Sequence, residues 1–186
     1  MDKRLFLLET KNTKLEPLIN DDIKFVIDLF RSYRTKSMKQ ISSNIEDQYT
    51  YFNEYMQRFH SGSEIYFKII DQSTKTKVGV VRLTEIDRVE TFCWESLATL
   101  PGTRAVVAID TMCLIYHAGF NILGRTLCSP FVVPKELLRL IKLHETMGMA
   151  DKVGESGPYW LYQVAKLRYT QGIDRINRMG FGILNA

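Results

Sequence analysis

Cysteine is scarce in this chain. Its three, Cys93, Cys113 and Cys128, form no CxxC pair in 186 residues. That spacing excludes a disulfide scaffold and a thiolate zinc site, and it fits reduced thiols in a cytoplasmic protein. No metal is expected. Long apolar runs are missing too. No window of 18 residues is free of charge, so no membrane span is expected, and Leu5–Leu8 before Glu9 is too short a run for a signal peptide. Charge of one sign is not in strong excess: Lys+Arg 25 against Asp+Glu 21 leaves +4. The basic residues do not cluster, which argues against a nucleic-acid partner. Eleven glycines and five prolines are too few for a linker-rich array. What is present, 45% hydrophobic and 25% charged residues, suits one globular domain over 1–186.

Periodicity orders the elements. Lys3–Glu9 predicts a first strand. Asn20, Asp21 and Asp22 offer cap oxygens to a helix with Ile23, Val26, Ile27 and Phe30 on one face. The basic stretch Arg31–Ser43 breaks that period and reads as a loop. Asn44 caps a second helix with Phe52, Tyr55, Met56 and Phe59 on one face. Glu64–Ile70, Lys77–Ile86 and Val89–Leu97 are rich in Val, Ile, Tyr, Phe and Thr and predict an antiparallel meander. After Pro101-Gly102-Thr103 comes a third helix, with Ile109, Met112, Cys113, Tyr116, Phe120 and Leu123 along one face and Gly124 as its stop. Thr126–Val133 is a strand interrupted by Pro130, which cannot donate to a ladder, so an unpaired stretch is expected there. Pro134 opens a fourth helix that ends at Gly148, and Pro158–Tyr169 closes with an aromatic strand. Its Tyr159, Trp160, Tyr162 and Tyr169 either pair across a homodimer or pack in the core. Gln171–Ala186 reads as a short helix or an ordered tail. The strand before the third helix and the strand after it should be parallel neighbours.

Two segments can carry chemistry. In Trp94–Val107, WESLATLPGTRAVV, a strand enters a glycine turn and opens a helix. Helix N-termini present unpaired amides and positive partial charge. Such a turn can hold a pyrophosphate, with the Thr103 hydroxyl and the Arg104 guanidinium adding to it, or it can be a plain connection. In Pro134–Met149, PKELLRLIKLHETMGM, His144 lies on the apolar stripe with Leu137, Leu140 and Ile141. An inward histidine is a core residue or, with an ordinary pKa near 6.5, a proton donor at neutral pH.

Element order and these two segments together resemble the GNAT family, the acetyl-CoA-dependent N-acyltransferases, over about residues 3–169, with 170–186 as a C-terminal extension. The ending LIKLHETMGM is similar to the family's Leu-Tyr-Glu-Lys-x-Gly-Phe pattern. Trp94, the Pro101-Gly102-Thr103 turn and a histidine before the closing glycine resemble the branch that serves bacterial surface-sugar biosynthesis. The resemblance implies an α/β fold: a mixed sheet of six to seven strands flanked by about four helices, with central parallel strands splayed apart. It also implies acetyl-CoA as co-substrate, its pantetheine arm lying along Glu95–Thr99 and Thr126–Val133. The cofactor contacts would fall at Leu97, Ala98, Thr99, Gly102, Thr103, Arg104, Ala105 and Val106. The turn departs from the family's Gln/Arg-x-x-Gly-x-Gly/Ala, since Leu100-Pro101-Gly102-Thr103-Arg104-Ala105 keeps one glycine and adds an arginine. Backbone donors survive that change. The family's tyrosine, which protonates the leaving thiolate, is replaced by His144, and its asparagine by Leu137.

Acyl transfer to an amine then assigns parts. A backbone N–H near Leu97 or Ala98 meets the developing oxyanion. Glu85 or Glu95, at strand ends on one cleft, takes the amine proton directly or through water, with Ser96 beside them. His144 serves the thiolate. The acceptor site comes from Arg31, Tyr33, Arg34 and Trp94, groups suited to the phosphates, base and sugar of a nucleotide-linked amino sugar. Three alternatives remain: a protein N-terminus as acceptor, a small amine, or a non-catalytic module that binds acyl-CoA.

Overall fold

The structure, a computed structural model, describes residues 2–32, 45–136, 141, 145 and 148–178. One mixed sheet has seven strands in the order β1-β2-β3-β4-β5-β7-β6. They are β1 Thr13–Pro17, β2 Glu64–Asp71, β3 Thr76–Thr84, β4 Thr91–Thr99, β5 Leu127–Pro134, β6 Asp151–Ser156 and β7 Tyr159–Ala165. Among the described residues four continuous α-helices accompany them: α1 Ile23–Ser32, α2 Ile45–Ser61, α3 Ala105–His117 and α4 Lys166–Arg178. The meander is the antiparallel run β2-β3-β4. The crossover through α3 leaves β4 and β5 parallel, as the handedness and length of such connections require.

Side-chain alternation splits the core across the sheet. Phe67, Ile69, Val81, Leu83, Phe92 and Trp94 face α3. Tyr66, Val80 and Ala98 face α1 and α2, meeting Ile27, Leu29, Phe52 and Tyr55. The α3 helix is apolar on nearly every side, with Met112 to Tyr116 all buried. The span Ala105–Ile122 is long and apolar enough to cross a membrane, yet most of it is buried inside this fold, as the core helix of an α/β sheet is. Its end, Ala118–Ile122, widens into a π-helical turn, where Gly119 lies directly against the Phe92 ring. Gly124 has φ 69 and ends the helix, as expected.

Several boundaries differ from the sequence reading. Lys3–Phe6 is a 3-10 turn, because the Asp2 carboxylate accepts from the Arg4 amide and guanidinium. The first strand starts only at Thr13. Asp22 does not cap α1 as expected. It is fully buried, accepts from the Ile19 amide at 3.0 Å and from Lys68 Nζ at 3.0 Å, and pairs with Lys77 as well. The aromatic closing strand is really the hairpin β6–β7 followed by α4. Tyr162 and Tyr169 are buried, Tyr162 stacked on Phe131 at 6.1 Å and Tyr169 beside Phe120 at 5.2 Å. Of the expected fourth helix, Ile141 and Glu145 are helical and Gly148 takes φ 62. Leu137, Leu140 and His144 lie outside the described residues.

Candidate active site

The site starts from a gap. β4 pairs with β5 only at Thr91↔Leu127 and Phe92↔Cys128. Beyond Phe92, no further β4–β5 pair occurs among the described residues, so the two parallel strands part. β5 slips out of register with β7 between Cys128 and Phe131. Ser129 and Pro130 therefore stand in an unpaired stretch on that side too, as the missing proline N–H requires.

β4 is bulged where it borders the gap. Arg82 faces Glu95 and Val80 faces Ala98, so Ser96 and Leu97 together oppose Val81. Ser96 takes φ 58, a left-handed conformation costly for a non-glycine residue. A bulge leaves one residue of the ladder unpaired and re-aims the chain. Here it turns the Leu97 side chain into the α3 core while Glu95 stays on the α1/α2 face. β3 comes very close at this point: a Cβ on Gly79 would lie 2.3 Å from the Ala98 carbonyl oxygen.

The strand then enters the turn. The Leu100 amide donates to the Val78 carbonyl at 2.7 Å, and the Thr103 amide to the Leu100 carbonyl at 3.1 Å. Gly102 has φ 85 with open space around it. Arg104 is the N-cap of α3, and no side chain caps the helix. Its first-turn amides consequently point outward with the positive end of the helix dipole. The Thr103 and Arg104 side chains do not face outward with them. The Thr103 hydroxyl donates to the Leu100 carbonyl at 2.7 Å. The Arg104 guanidinium is tied to Asp71.

The α1/α2 face of the gap carries the charge. Arg82 donates to the Tyr51 hydroxyl at 2.8 Å and pairs with Glu95, while its Nη1 lies 3.5 Å from Glu64. Arg58 donates to the second oxygen of Glu64 at 2.6 Å. Burial works against the Arg82 charge, but Tyr51, Glu95 and Glu64 outweigh it and push the guanidinium pKa up. The Glu95 side chain is 47% exposed, and Tyr51 and Arg58 are also open to solvent, while Arg82 and Glu64 are sheltered between them. Glu85 has both oxygens engaged: it accepts from Ser129 Oγ at 2.8 Å and pairs with Arg88 at 3.1 Å. It too has φ 58. Cys93 shares this face, opposite Thr84, and burial raises its thiol pKa, so it is a poor nucleophile.

The remaining sequence candidates scatter. Trp94 lies on the other face of β4, 9% exposed, between Tyr116 and Phe131. Its indole packs in the core instead of lining the acceptor face. Arg31 ends α1. Tyr33, Arg34 and His144 lie outside the described residues. Sequence reading missed Arg82, Tyr51, Glu64 and Asp71. For Arg82 a signal existed, a lone cation inside the apolar run Val80-Val81-Arg82-Leu83. Asp71 looked like an ordinary turn residue before Gln72.

No protein-family model and no curated protein matches the chain. Solved structures do. FdhC in its apo form, described as a nucleotide-linked sugar GNAT, is 25% identical, with a TM-score of 0.80 over 92% of this chain and 96% of that one. A variant of the spermidine N-acetyltransferase SpeG from Vibrio cholerae is 17% identical, with a TM-score of 0.69 over 86% and 97%. The N-acetyltransferase PseH from Campylobacter jejuni is 16% identical, with a TM-score of 0.62 over 83% and 98%. The last two speak for the fold alone. With its seven-stranded sheet, its parallel strands parting after Phe92 and its uncapped helix start, the chain is an acyltransferase of the GNAT superfamily.

Proposed function

We propose that this enzyme transfers an acetyl group from acetyl-CoA to the primary amine of a nucleotide-linked amino sugar. The likeness to FdhC over nearly the full length of both chains carries the acceptor class. The pantetheine arm takes the place of a strand between β4 and β5, where the ladder ends after Phe92. The pyrophosphate meets the amides of Gly102, Arg104, Ala105 and Val106, that of Thr103 being held by the Leu100 carbonyl.

The amine nitrogen attacks the thioester carbonyl in a ternary complex. The Leu97 amide, at the bulge, donates to the oxygen as it gains charge. Glu95, the exposed carboxylate on the acceptor face, takes the amine proton directly or through a water. The C–S bond breaks, and the CoA thiolate takes a proton from His144, in the position where the family carries tyrosine. Proximity of two bound substrates supplies much of the rate. Glu85 is less suited to the base role because both its oxygens already have partners. Arg31, Tyr33 and Arg34 are the acceptor-binding group.

Calorimetry with acetyl-CoA, followed by thiol release with UDP- and dTDP-linked amino sugars, spermidine and short peptides, tests this reading. Turnover confined to the nucleotide sugars is expected. Turnover only with peptides or polyamines would move the acceptor class, and no binding of acetyl-CoA at millimolar concentration would overturn the enzyme reading.

A further inference from the structure

The guanidinium of Arg104 is next to a phosphate-binding turn and yet points away from it. Its Nε donates to Asp71 Oδ2 at 3.0 Å and its Nη2 to Oδ1 at 2.7 Å, a two-pronged contact. Asp71, the last residue of β2, is 4% exposed. It also accepts from the Ser73 amide at 2.8 Å and the Ser73 hydroxyl at 2.7 Å. Arg104 first, and Ser73 after it, hold this carboxylate well below the usual range against the opposing effect of burial. Asp71 is thus saturated with donors and built to stay ionised.

Arg104 is also the residue whose backbone starts α3, and no side chain caps that start. Its φ of -58 and ψ of 134 set the direction in which the next amides, of Ala105 and Val106, point. The preceding Gly102 takes φ 85, and a Cβ added to it would meet nothing within 4 Å, so no side chain at that position braces the turn. The Thr103 amide and hydroxyl hold the turn to the Leu100 carbonyl, and the side chain of Arg104 adds a second anchor by reaching back to β2, which lies two strands away from β4 in the sheet.

We propose that Asp71 and Arg104 form a clamp that positions the pyrophosphate-binding amides, and that Arg104 does not itself hold phosphate. This rests on the acyl-CoA reading of the gap. Asp71 and Arg104 are positioning residues; neither touches the reacting atoms.

A binding cycle tests the clamp. CoA and pantetheine, which lacks the pyrophosphate, are titrated calorimetrically into the wild type, Asp71→Ala, Asp71→Asn, Arg104→Ala, Arg104→Lys and the double alanine variant. Each is also melted to confirm folding. Asp71→Ala and Arg104→Ala should each weaken CoA on the order of tenfold, the scale of losing an outer support. The double variant should lose little more, and pantetheine affinity should stay within about twofold, because its contacts lie beyond the clamp. Arg104→Lys should resemble Arg104→Ala, since a point charge cannot make the fork. In turnover, KM for acetyl-CoA should rise while KM for the acceptor holds. Unchanged or tighter CoA binding by Asp71→Ala would overturn the clamp, because a freed Arg104 would then be reaching the phosphate. So would full affinity in Arg104→Lys. A folded wild type that binds no CoA at all would remove the acyl-CoA reading, and the clamp with it.

Discussion

Gly119→Ala is the sharpest available perturbation of the gap. An added Cβ would lie 2.2, 2.3 and 2.4 Å from Cζ, Cε1 and Cε2 of Phe92. Ordinary carbon contacts are about 3.5–4.0 Å, so the ring tip would have to retreat by more than ~1 Å. It has nowhere to go. Phe92 is fully buried, stands edge-on to Phe120 at 5.0 Å and is paired through its backbone with Cys128. Overpacking of this kind costs about 1–3 kcal/mol, and the better helix propensity of alanine returns at most about 1 kcal/mol. With the ring hemmed in on all sides the cost falls at the top of that range, so a net loss of about 2–3 kcal/mol, at about 2–4 °C per kcal/mol for a chain of this size, gives an expected fall of roughly 4–12 °C in Tm. Phe92 is also the last β4 residue paired with β5, so its displacement should raise KM for acetyl-CoA. Removing the clash from the other side gives the control. Phe92→Leu alone should destabilise through lost volume, but combined with Gly119→Ala the new methyl fills that space. The double variant should be at least ~1 kcal/mol more stable than the two single losses predict. A Gly119→Ala melt within a degree of wild type, or strict additivity, would refute the argument that position 119 must lack a Cβ for the Phe92 ring to fit.

Glu95→Gln keeps shape but cannot take a proton, and should lower kcat by about 10²–10⁴-fold with KM for acetyl-CoA little changed; a rate within threefold of wild type removes Glu95 from the base role. Gly79→Ala drives a methyl to 2.3 Å from the Ala98 carbonyl, a backbone atom at the bulge, so denaturant melts should show a stability loss together with lost turnover. Acid should unfold the protein through two carboxylates. Arg104 and then Ser73 lower the pKa of Asp71, while for Asp22 burial is outweighed by Lys77, the Ile19 amide and Lys68. Both bind protons more readily in the unfolded chain, so their contribution is present above about pH 4 and lost as pH falls through the folded values. Urea midpoints between pH 7 and pH 3 should fall, and Asp22→Asn should flatten that slope while costing about 3 kcal/mol at pH 7 by leaving the sheltered Lys68 short of its main partner. Pro130→Ala should shift Tm by no more than a few degrees, because no ladder bond is at stake there.

The path of the chain was legible where one physical signal dominated. The β2-β3-β4 meander, the apolar α3, the glycine stop at Gly124 and the break at Pro130 all came from period and turn chemistry. Local hydrogen bonds misled where they competed with a hydrophobic run: Asp2 folds Lys3–Phe6 into a turn despite its strand-like composition. Asp22 was misread for the opposite reason. As a helix-start aspartate it looks solvated, and only the sheet brings Lys68 and Lys77 to it, from 46 and 55 residues along the chain. The candidate site divided in the same way. Glu85 and Glu95 were visible as charged strand ends, but their unequal availability follows from Ser129, Arg88 and Arg82, which no local window contains.

The bulge at Ser96 and Leu97 ties these features to one cause. In a regular strand Glu95 and Leu97 would share a face, because side chains alternate with a period of two. Both would then lie against α1 and α2. One extra residue moves Leu97 into the α3 core and leaves Glu95 on the opposite face, held by Arg82. The carboxylate assigned above to the amine and the amide assigned to the acyl oxygen thus lie two residues apart on β4, with their side chains on opposite faces of the sheet. The cost is one left-handed serine, of order 1 kcal/mol. A glycine at position 96 would remove that cost but would also let the chain relax out of the bulge, so a residue that tolerates the conformation without preferring it keeps the geometry under the control of the surrounding sheet.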